Sequence, residues 1–395
     1  MSAGRRKAAV FAAAVCLRLV LLALFPSLPD LLTGRVEIST PINSFKRLQE
    51  GLFLYTRNVS PYDGGVFHQA PLLLPLFSLL PNPRDFPLPT AVFYSLIDLV
   101  NANALVTIAE SRQSVAITSC LGRSTTVLTS TGILYAVSNA VSGNFLNSML
   151  ALGFASYLSI YPALLFIPLV ILCYDIEAQR TTPPSSATLF TLRLFGILLA
   201  SVAGLLGISA LIVEDFGEFI SATYGFQLLV PDLTPNVGLW WYFFVEIFDS
   251  FREFFLGVFW LHLAAYVGGF TVRLRRQPLF IITSLLGVFA IFKPYPSISD
   301  VSLYFALLPL YRHLFPLMRY PFVASSALLY ATLLGPAFYH LWIYAGSGNA
   351  NFFYAITLVW SLGLSIVLAD SIFAALREEW ELENPEMRGK DARQV

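Results

Sequence analysis

The sequence predicts an all-α polytopic membrane protein with roughly 10–12 transmembrane helices. Three observations carry that expectation. Of the 395 residues, 56% are hydrophobic and only 12% charged, with a mean hydropathy of +0.69. That is about half the charged share of a soluble domain. Apolar blocks follow one another along nearly the whole chain, and a helix satisfies all its own backbone groups in lipid. No polar stretch is long enough to be a soluble domain, and the 34 Phe and 18 Tyr suit lipid-facing and interfacial positions. The zero formal net charge offers no basic face to nucleic acid. Cys16, Cys120 and Cys173 lie in or beside apolar blocks without CxxC spacing, so neither a disulfide framework nor a zinc site is indicated.

Arg5, Arg6 and Lys7 precede an apolar run from Ala8 to Phe25. A basic start and a short apolar core also fit a signal peptide. No small-residue cleavage site follows, and Arg18 lies within the run, so a retained first helix with a cytosolic N-terminus is expected. Residues 26–67 then form the first lumenal loop. Within it Ser44 to Tyr55 reads as a short amphipathic helix on the membrane surface. Asn58-Val59-Ser60 is a glycosylation sequon, followed at once by Pro61, which works against its use. Ala70 to Leu80 is too short for an ordinary span and contains Pro71 and Pro75, so it re-enters or crosses as a kinked helix. Pro87 to Ala109 is the next span and carries Asp98, Asn101 and Asn103. Arg112 and Arg123 flank a weakly apolar stretch. Thr125 to Ala140 follows, and then Phe145 to Tyr174, which is one tilted span or two half-spans around Tyr161-Pro162. Asp175 to Ser186 reads as a cytosolic linker. In the span Thr188 to Val213, Gly196, Gly204 and Gly207 would permit close helix packing. Glu214 to Pro235 reads as a mixed lumenal loop.

The segment Asn236 to His262 is long enough to cross a bilayer, yet it holds Glu246, Asp249, Arg252 and Glu253 near its middle. At roughly 100° per residue these four share about a third of the helix surface, and phenylalanines take most of the rest. Two readings stay open. In the first, the helix lies flat at the interface, or Asp249 and Arg252 pair and do nothing more. Alternatively the acidic arc lines a polar recess, because charges at membrane depth cost ~2.5–3.5 kcal/mol each and usually face protein or water. Arg273, Arg275 and Arg276 mark a cytosolic turn. Phe280 to Phe292 leads into KPYPSISD (Lys293–Asp300), a broken helix or tight lumenal turn that must be enclosed by protein or water. Val301–Leu310, Val323–Tyr344 and Phe352–Ala369 are the remaining apolar runs. The expected organisation is one multi-spanning domain over residues 1–376 and a polar, disordered tail over 377–395.

Catalytic signatures are scarce. His68, His262, His313 and His340 are too scattered for a histidine box, and there is no GxSxG, Cys–His pairing or Gly-rich phosphate loop. A glycosyltransferase with a lipid-linked donor needs an acid in its first lumenal loop, often as a pair. Here that position reads Val36-Glu37-Ile38-Ser39, with one acid, and a lone loop glutamate is commonly just solvated. Binding or scaffolding is favoured over catalysis. Ser347, Asn349 and Asn351 sit beside Gly346, Gly348 and the aromatics Phe352, Phe353 and Tyr354. That combination suits either a simple turn between spans or hydrogen bonding to a glycan or phosphate.

Four stretches together resemble the PIG-U (phosphatidylinositol-glycan class U) family, multi-spanning subunits of the GPI transamidase. They are SPYDGGVFHQAPLL (Ser60–Leu73), NVGLWWYFFVEIFDSFREFF (Asn236–Phe255), IFKPYPSISDVSLY (Ile291–Tyr304) and HLWIYAGSGNANFFYAITL (His340–Leu358). The chain departs mainly between Arg112 and Thr125 and after Glu378, where hydrophilic loops look trimmed. The resemblance implies an architecture like that of the multi-spanning GPI mannosyltransferases (GT-C-like) and a place in the endoplasmic reticulum membrane. It implies a non-catalytic subunit without cofactor, helping to bind the GPI lipid beside a cysteine-protease-like catalytic subunit. On that reading Asn349 and Asn351 would bond the glycan or phosphate and Lys293 would offer charge to phosphate. Glu246 and Asp249 would meet the ethanolamine ammonium or a basic partner, and Phe352, Phe353 and Tyr354 would pack acyl chains. The alternative is a dolichol-phosphate-mannose-dependent mannosyltransferase with Glu37 as base, which rests on architecture alone.

Overall fold

The computed structural model describes residues 3–83, 85–110, 123–180 and 186–390, and over these it is helical without a strand. Seven helical segments are long and apolar enough to cross a membrane. They are α1 (Ala3–Leu24), α3 (Pro87–Glu110), Tyr161–Gln179, which includes most of α6 (Phe166–Arg180), α7 (Ala187–Ala210), α9 (Asp249–Arg273), α12 (Pro321–Ile343) and α13 (Ala350–Glu383). Three shorter apolar helices join them: α4 (Thr126–Val141), α5 (Phe145–Leu158) and α10 (Pro278–Phe292). In α10 every residue except Phe292 is buried, as expected for a helix that is apolar on all sides. It is the central pillar, packed against α6, α9, α13 and α11 (Ile298–Leu307).

The two ends of the bundle differ in charge. At one end Arg273 meets Glu379 at 2.8 Å, Arg275 meets Asp175 at 3.3 Å and Arg276 meets Glu383 at 3.2 Å. This is the end that the sequence reading, by the positive-inside rule, expects to be cytosolic. The other end carries the first loop. There α2 (Phe45–Tyr55) starts where Ser44 Oγ accepts from the Arg47 N–H, and it buries Phe45, Leu48 and Gly51. The Asn43 side-chain amide donates to Thr126 Oγ1 at 2.8 Å and ties the loop to α4.

Several expectations are corrected. Asn236 to His262 is two helices, α8 (Trp240–Glu246) and α9, broken at Ile247 and Phe248, which are both extended. The aromatic rings cause the break. Trp240 lies 4.8 Å from Phe259, ring to ring, whereas 19 residues of continuous helix would separate them by about 28 Å. The continuous acidic arc therefore does not form. Gly196, Gly204 and Gly207 of α7 face open space. Close packing comes at Gly153, whose missing side chain leaves room for Ser201, at Gly132 against Ala155, and at Gly363 against Leu328. Phe145 to Tyr174 breaks at Ser159 into α5 and a second segment, Tyr161–Gln179, that is long enough to cross by itself, so neither one tilted span nor two half-spans describes it. The linker begins as helix, since α6 runs to Arg180, and residues 181–185 lie outside the described set. The loop Glu214 to Pro235 contains short helices, Phe216–Ile220 and Phe226–Leu229. Residue 377 lies inside α13, and Arg377 holds Glu381 and the carbonyls of Met387 and Lys390. The stretch after Arg112, with Cys120, lies outside the described residues.

Only 6% of the apolar window of α1 is buried. Its anchor is Arg18, which reaches Asp98 of α3 at 3.1 Å with both side chains almost fully enclosed. Breaking such a pair from one side is costly because a buried charge loses its countercharge. Arg18→Leu is expected to destabilise the docking of α1 by about 3–5 kcal/mol, and Arg18→Leu with Asp98→Leu to regain most of it. Cysteine crosslinking between α1 and α3, with thermal unfolding in detergent, reads both.

Candidate functional site

Two of the concavities toward the end that carries the first loop adjoin residues singled out from sequence. The first is an apolar groove of about 260 Å³ between α12, α13, the first loop and the start of α11. Small residues make it. Ala331 and Gly335 line α12, and a side chain added at Gly335 would meet only Ile356, at 3.5 Å. Pro336, also in the wall, has no N–H for the carbonyl four residues earlier, at Thr332. Across the groove stand Phe353, Ile356 and Trp360 of α13. Arg35 and Glu37 also line it, their side chains joined through two hydrogen bonds of 3.1 and 3.2 Å.

An aromatic cluster closes the end of the groove beside Phe353. Trp241 stacks on Trp342 at 6.1 Å and lies 6.1 Å from Phe353. Tyr354 stacks on Tyr242 at 4.5 Å and its hydroxyl donates to the Leu239 carbonyl at 3.1 Å. Asn349 is the N-cap of α13: its side-chain oxygen accepts from the Phe352 N–H at 3.2 Å. Asn351 accepts from the Tyr242 hydroxyl. The nearby Glu246 carboxylate, with desolvation, pushes the pKa of that hydroxyl up.

The structure thus brings together six of the eight residues singled out from sequence: Asn349, Asn351, Phe352, Phe353, Tyr354 and Glu246. Phe353 is buried in the groove wall, while Phe352 is exposed and stacks on Phe338 at 5.8 Å. Asp249 stands apart, exposed in the first turn of α9, where an acid suits the helix dipole. Lys293 lines the second concavity and is paired with Asp300 at 2.6 Å. Sequence reasoning missed Trp241, Trp342 and Arg35. The tryptophans lie in motifs about a hundred residues apart, and nothing in the order of residues shows that they stack.

The second concavity is a small chamber on the other side of the Lys293–Asp300 turn, lined by Asn43, Gln69, Thr126 and Tyr161 together with Ile42, Leu73, Ile133 and Leu286, so that its wall is more apolar than polar. The turn is the wall between the two: Ile298 lines the groove and Asp300 the chamber. Among the described residues no three His, Cys, Asp or Glu side chains come together as a metal site.

A family model described as "GPI transamidase subunit PIG-U" matches residues 12–116 and 115–360. The "GPI transamidase component GAB1" of Saccharomyces cerevisiae is 36% identical over 395 residues, covering 95% of this chain and 96% of that protein. The human "GPI-anchor transamidase component PIGU" is 33% identical, covering 90% and 91%. The "GPI transamidase component GAB1 homolog" of Schizosaccharomyces pombe is 32% identical, covering 93% of each. The mannosyltransferase alternative finds no support: these relatives are transamidase components. Glu37 is itself held by Arg35.

The capping role of Asn349 generates a test. Loss of an N-cap costs about 1 kcal/mol, and serine or aspartate replaces asparagine there at little cost. Asn349→Ala is expected to raise amide exchange at Phe352 to Tyr354 and to lower activity. Asn349→Ser is expected to restore the exchange; activity that stays low in Asn349→Ser would assign the amide a role beyond capping.

Proposed function

The chain belongs to the PIG-U family and is a subunit of the GPI transamidase complex, and from that premise we propose that it holds the lipid part of the GPI substrate without supplying the catalytic group. The observation that carries this is the apolar groove ending in the aromatic cluster. Acyl chains would lie along Ile356, Trp360 and Gly335, removing apolar surface from water at roughly 25 cal/mol per Å². The lipid's polar part would leave the groove past Phe353 toward Tyr242, Asn351 and Glu246. An acid there suits the ammonium of a phosphoethanolamine, and side-chain amide and hydroxyl groups suit a glycan. Lys293 is not assigned to phosphate, because Asp300 compensates its charge in the separate chamber. Asp249 lies too far round α9 to share the groove and is left to a basic partner.

The transamidation itself is assigned to another subunit of cysteine-protease type, and the complex to the endoplasmic reticulum membrane. The seven long apolar helices and the charge difference between the two ends support a multi-pass placement. The extended aromatic faces of α9, with Phe248, Phe251 and Phe254 exposed, leave room for neighbouring subunits or lipid.

Filling the groove tests the lipid reading. Thr332→Trp or Gly335→Leu is expected to reduce surface display of a GPI-anchored reporter about tenfold, the equivalent of 1.4 kcal/mol. The other subunits should still co-purify in normal amounts; unchanged display with a blocked groove would sink the reading. Removing a general base costs about 10²–10⁴-fold. Glu37→Gln should instead leave reporter display within about twofold of the parent chain, since no base role is assigned to it.

A further inference from the structure

The apolar groove has one charged corner. Among the described residues that line it, Arg35 is the one cation and Glu37 the one anion. The chain holds them there through the residue between them. Val36 is buried against Trp241 and Phe353, in the cluster that closes the groove. The backbone on either side is tied as well. The Ser39 N–H donates to the Arg35 carbonyl at 2.8 Å, and the Ile298 N–H donates to the Glu37 carbonyl at 2.8 Å. The corner therefore has a fixed place, at the end where the tails of a bound lipid would give way to its head.

The way Glu37 grips Arg35 decides what the corner can bind. The two carboxylate oxygens accept from Nε–H and from one Nη2–H, at 3.2 and 3.1 Å. A guanidinium carries five N–H donors in a rigid plane, and this grip takes only its side edge. The end edge, formed by Nη1 and the second Nη2 hydrogen, keeps three donors. Such an edge matches two oxygens of one phosphate or carboxylate. The Arg35 side chain is also 35% exposed. Lys293 is a point charge with only 8% of its side chain exposed and its carboxylate at 2.6 Å. Glu37 cancels the net charge of the corner, which disfavours a doubly charged phosphomonoester and leaves a singly charged group that fits the fork. Gly335, Ile356 and Trp360 make the rest of the wall apolar, so that group must carry long tails. In a bilayer the singly charged group joined to a pair of long tails is the phosphodiester of a phospholipid.

We propose that Arg35 binds the phosphodiester of a membrane lipid whose tails lie in the groove. This rests on the lipid reading above and supplies the contact it lacks, a cation for the phosphate. The lipid is the anchor itself or a resident phospholipid of the same chemistry. The contact to phosphate is made by Arg35 alone; Glu37→Gln keeps an acceptor oxygen for the side edge and leaves the end edge as it is.

The test irradiates the intact complex with three probes that share one diazirine-bearing tail: a phosphatidylinositol, a diacylglycerol and a fatty acid. Labelling of Ile356 and Trp360 is read by mass spectrometry. The phosphatidylinositol is expected to label them about tenfold more than either of the others. Arg35→Gln would leave Glu37 without a countercharge, so it is combined with Glu37→Gln. The double variant is expected to lose that tenfold preference while diacylglycerol labelling and co-purification of the other subunits stay normal. Arg35→Lys keeps the charge without the fork and is expected to retain less than about a third of the preference. Where the double variant does not assemble, Arg35→Lys alone decides. An unchanged preference in these variants overturns the proposal, and so does fatty acid labelling equal to that of phosphatidylinositol. Gly335→Leu separates this failure from failure of the lipid reading. If it blocks all three probes while the Arg35 variants change nothing, the groove holds tails and this proposal falls alone. If it blocks none of them, the lipid reading falls and takes this one with it. Lipids released from the unlabelled complex name the source. A glycan-bearing lipid identifies the anchor; a plain phospholipid upholds the Arg35 contact and removes the anchor from the groove.

Discussion

A chain that leaves helical geometry at membrane depth must find partners for every backbone group it frees. The architecture at the end that carries the first loop depends on how the turn after α10 meets that constraint. Helix α10 ends at Phe292, and the Phe292 carbonyl takes the indole N–H of Trp240 at 2.8 Å. Lys293 turns back to Asp300, which also closes a capping box on Ser297 at the start of α11. The Tyr295 hydroxyl donates to the Asp232 carbonyl at 2.8 Å. The Ile298 N–H donates to the Glu37 carbonyl at 2.8 Å. One turn thereby binds the first loop, the loop before α8, and α8 itself to the central pillar. Groove and chamber are the two sides of that knot.

In the motif His340–Leu358 the polar residues that read in sequence as groups for a glycan or phosphate make hydrogen bonds within the protein. Asn349 caps α13, and Asn351 meets Tyr242 across a stack of two tyrosine rings. Both set the angle at which Phe353 enters the groove wall. On the proposed lipid-holding reading, rigid walls matter more than reactive groups. Aromatic rings locked by hydrogen bonds at their polar ends supply that rigidity.

Much of the fold was legible because lipid imposes simple rules. Hydropathy located the long spans, the arginine cluster marked one end, and Ser44 announced α2. What could not be read was which faces meet. Gly196, Gly204 and Gly207 have the spacing of a packing face yet look outward, whereas Gly132 and Gly153 have a less regular spacing and pack tightly. Composition does not say where a neighbour lies. The break at Ile247 and Phe248 has no proline or glycine to announce it and arises from Trp240 and Phe243 folding back onto Phe259. Of the candidate residues, Asn349 to Tyr354 are neighbours in the chain already, and the fold adds Glu246 beside Tyr242. The site was not legible as a place: the groove is shaped by what is missing at Ala331 and Gly335, and the chamber by atoms far apart in the chain.

The pairing of Arg18 with Asp98 bears on how the protein is made. The two residues are 80 positions apart, so Arg18 leaves the ribosome long before its countercharge exists. During that interval a helix with a charge worth ~2.5–3.5 kcal/mol against insertion must wait beside the translocation channel. Synthesis of α3 then releases it. The first helix is in this sense a latch that closes only when the second long span has arrived.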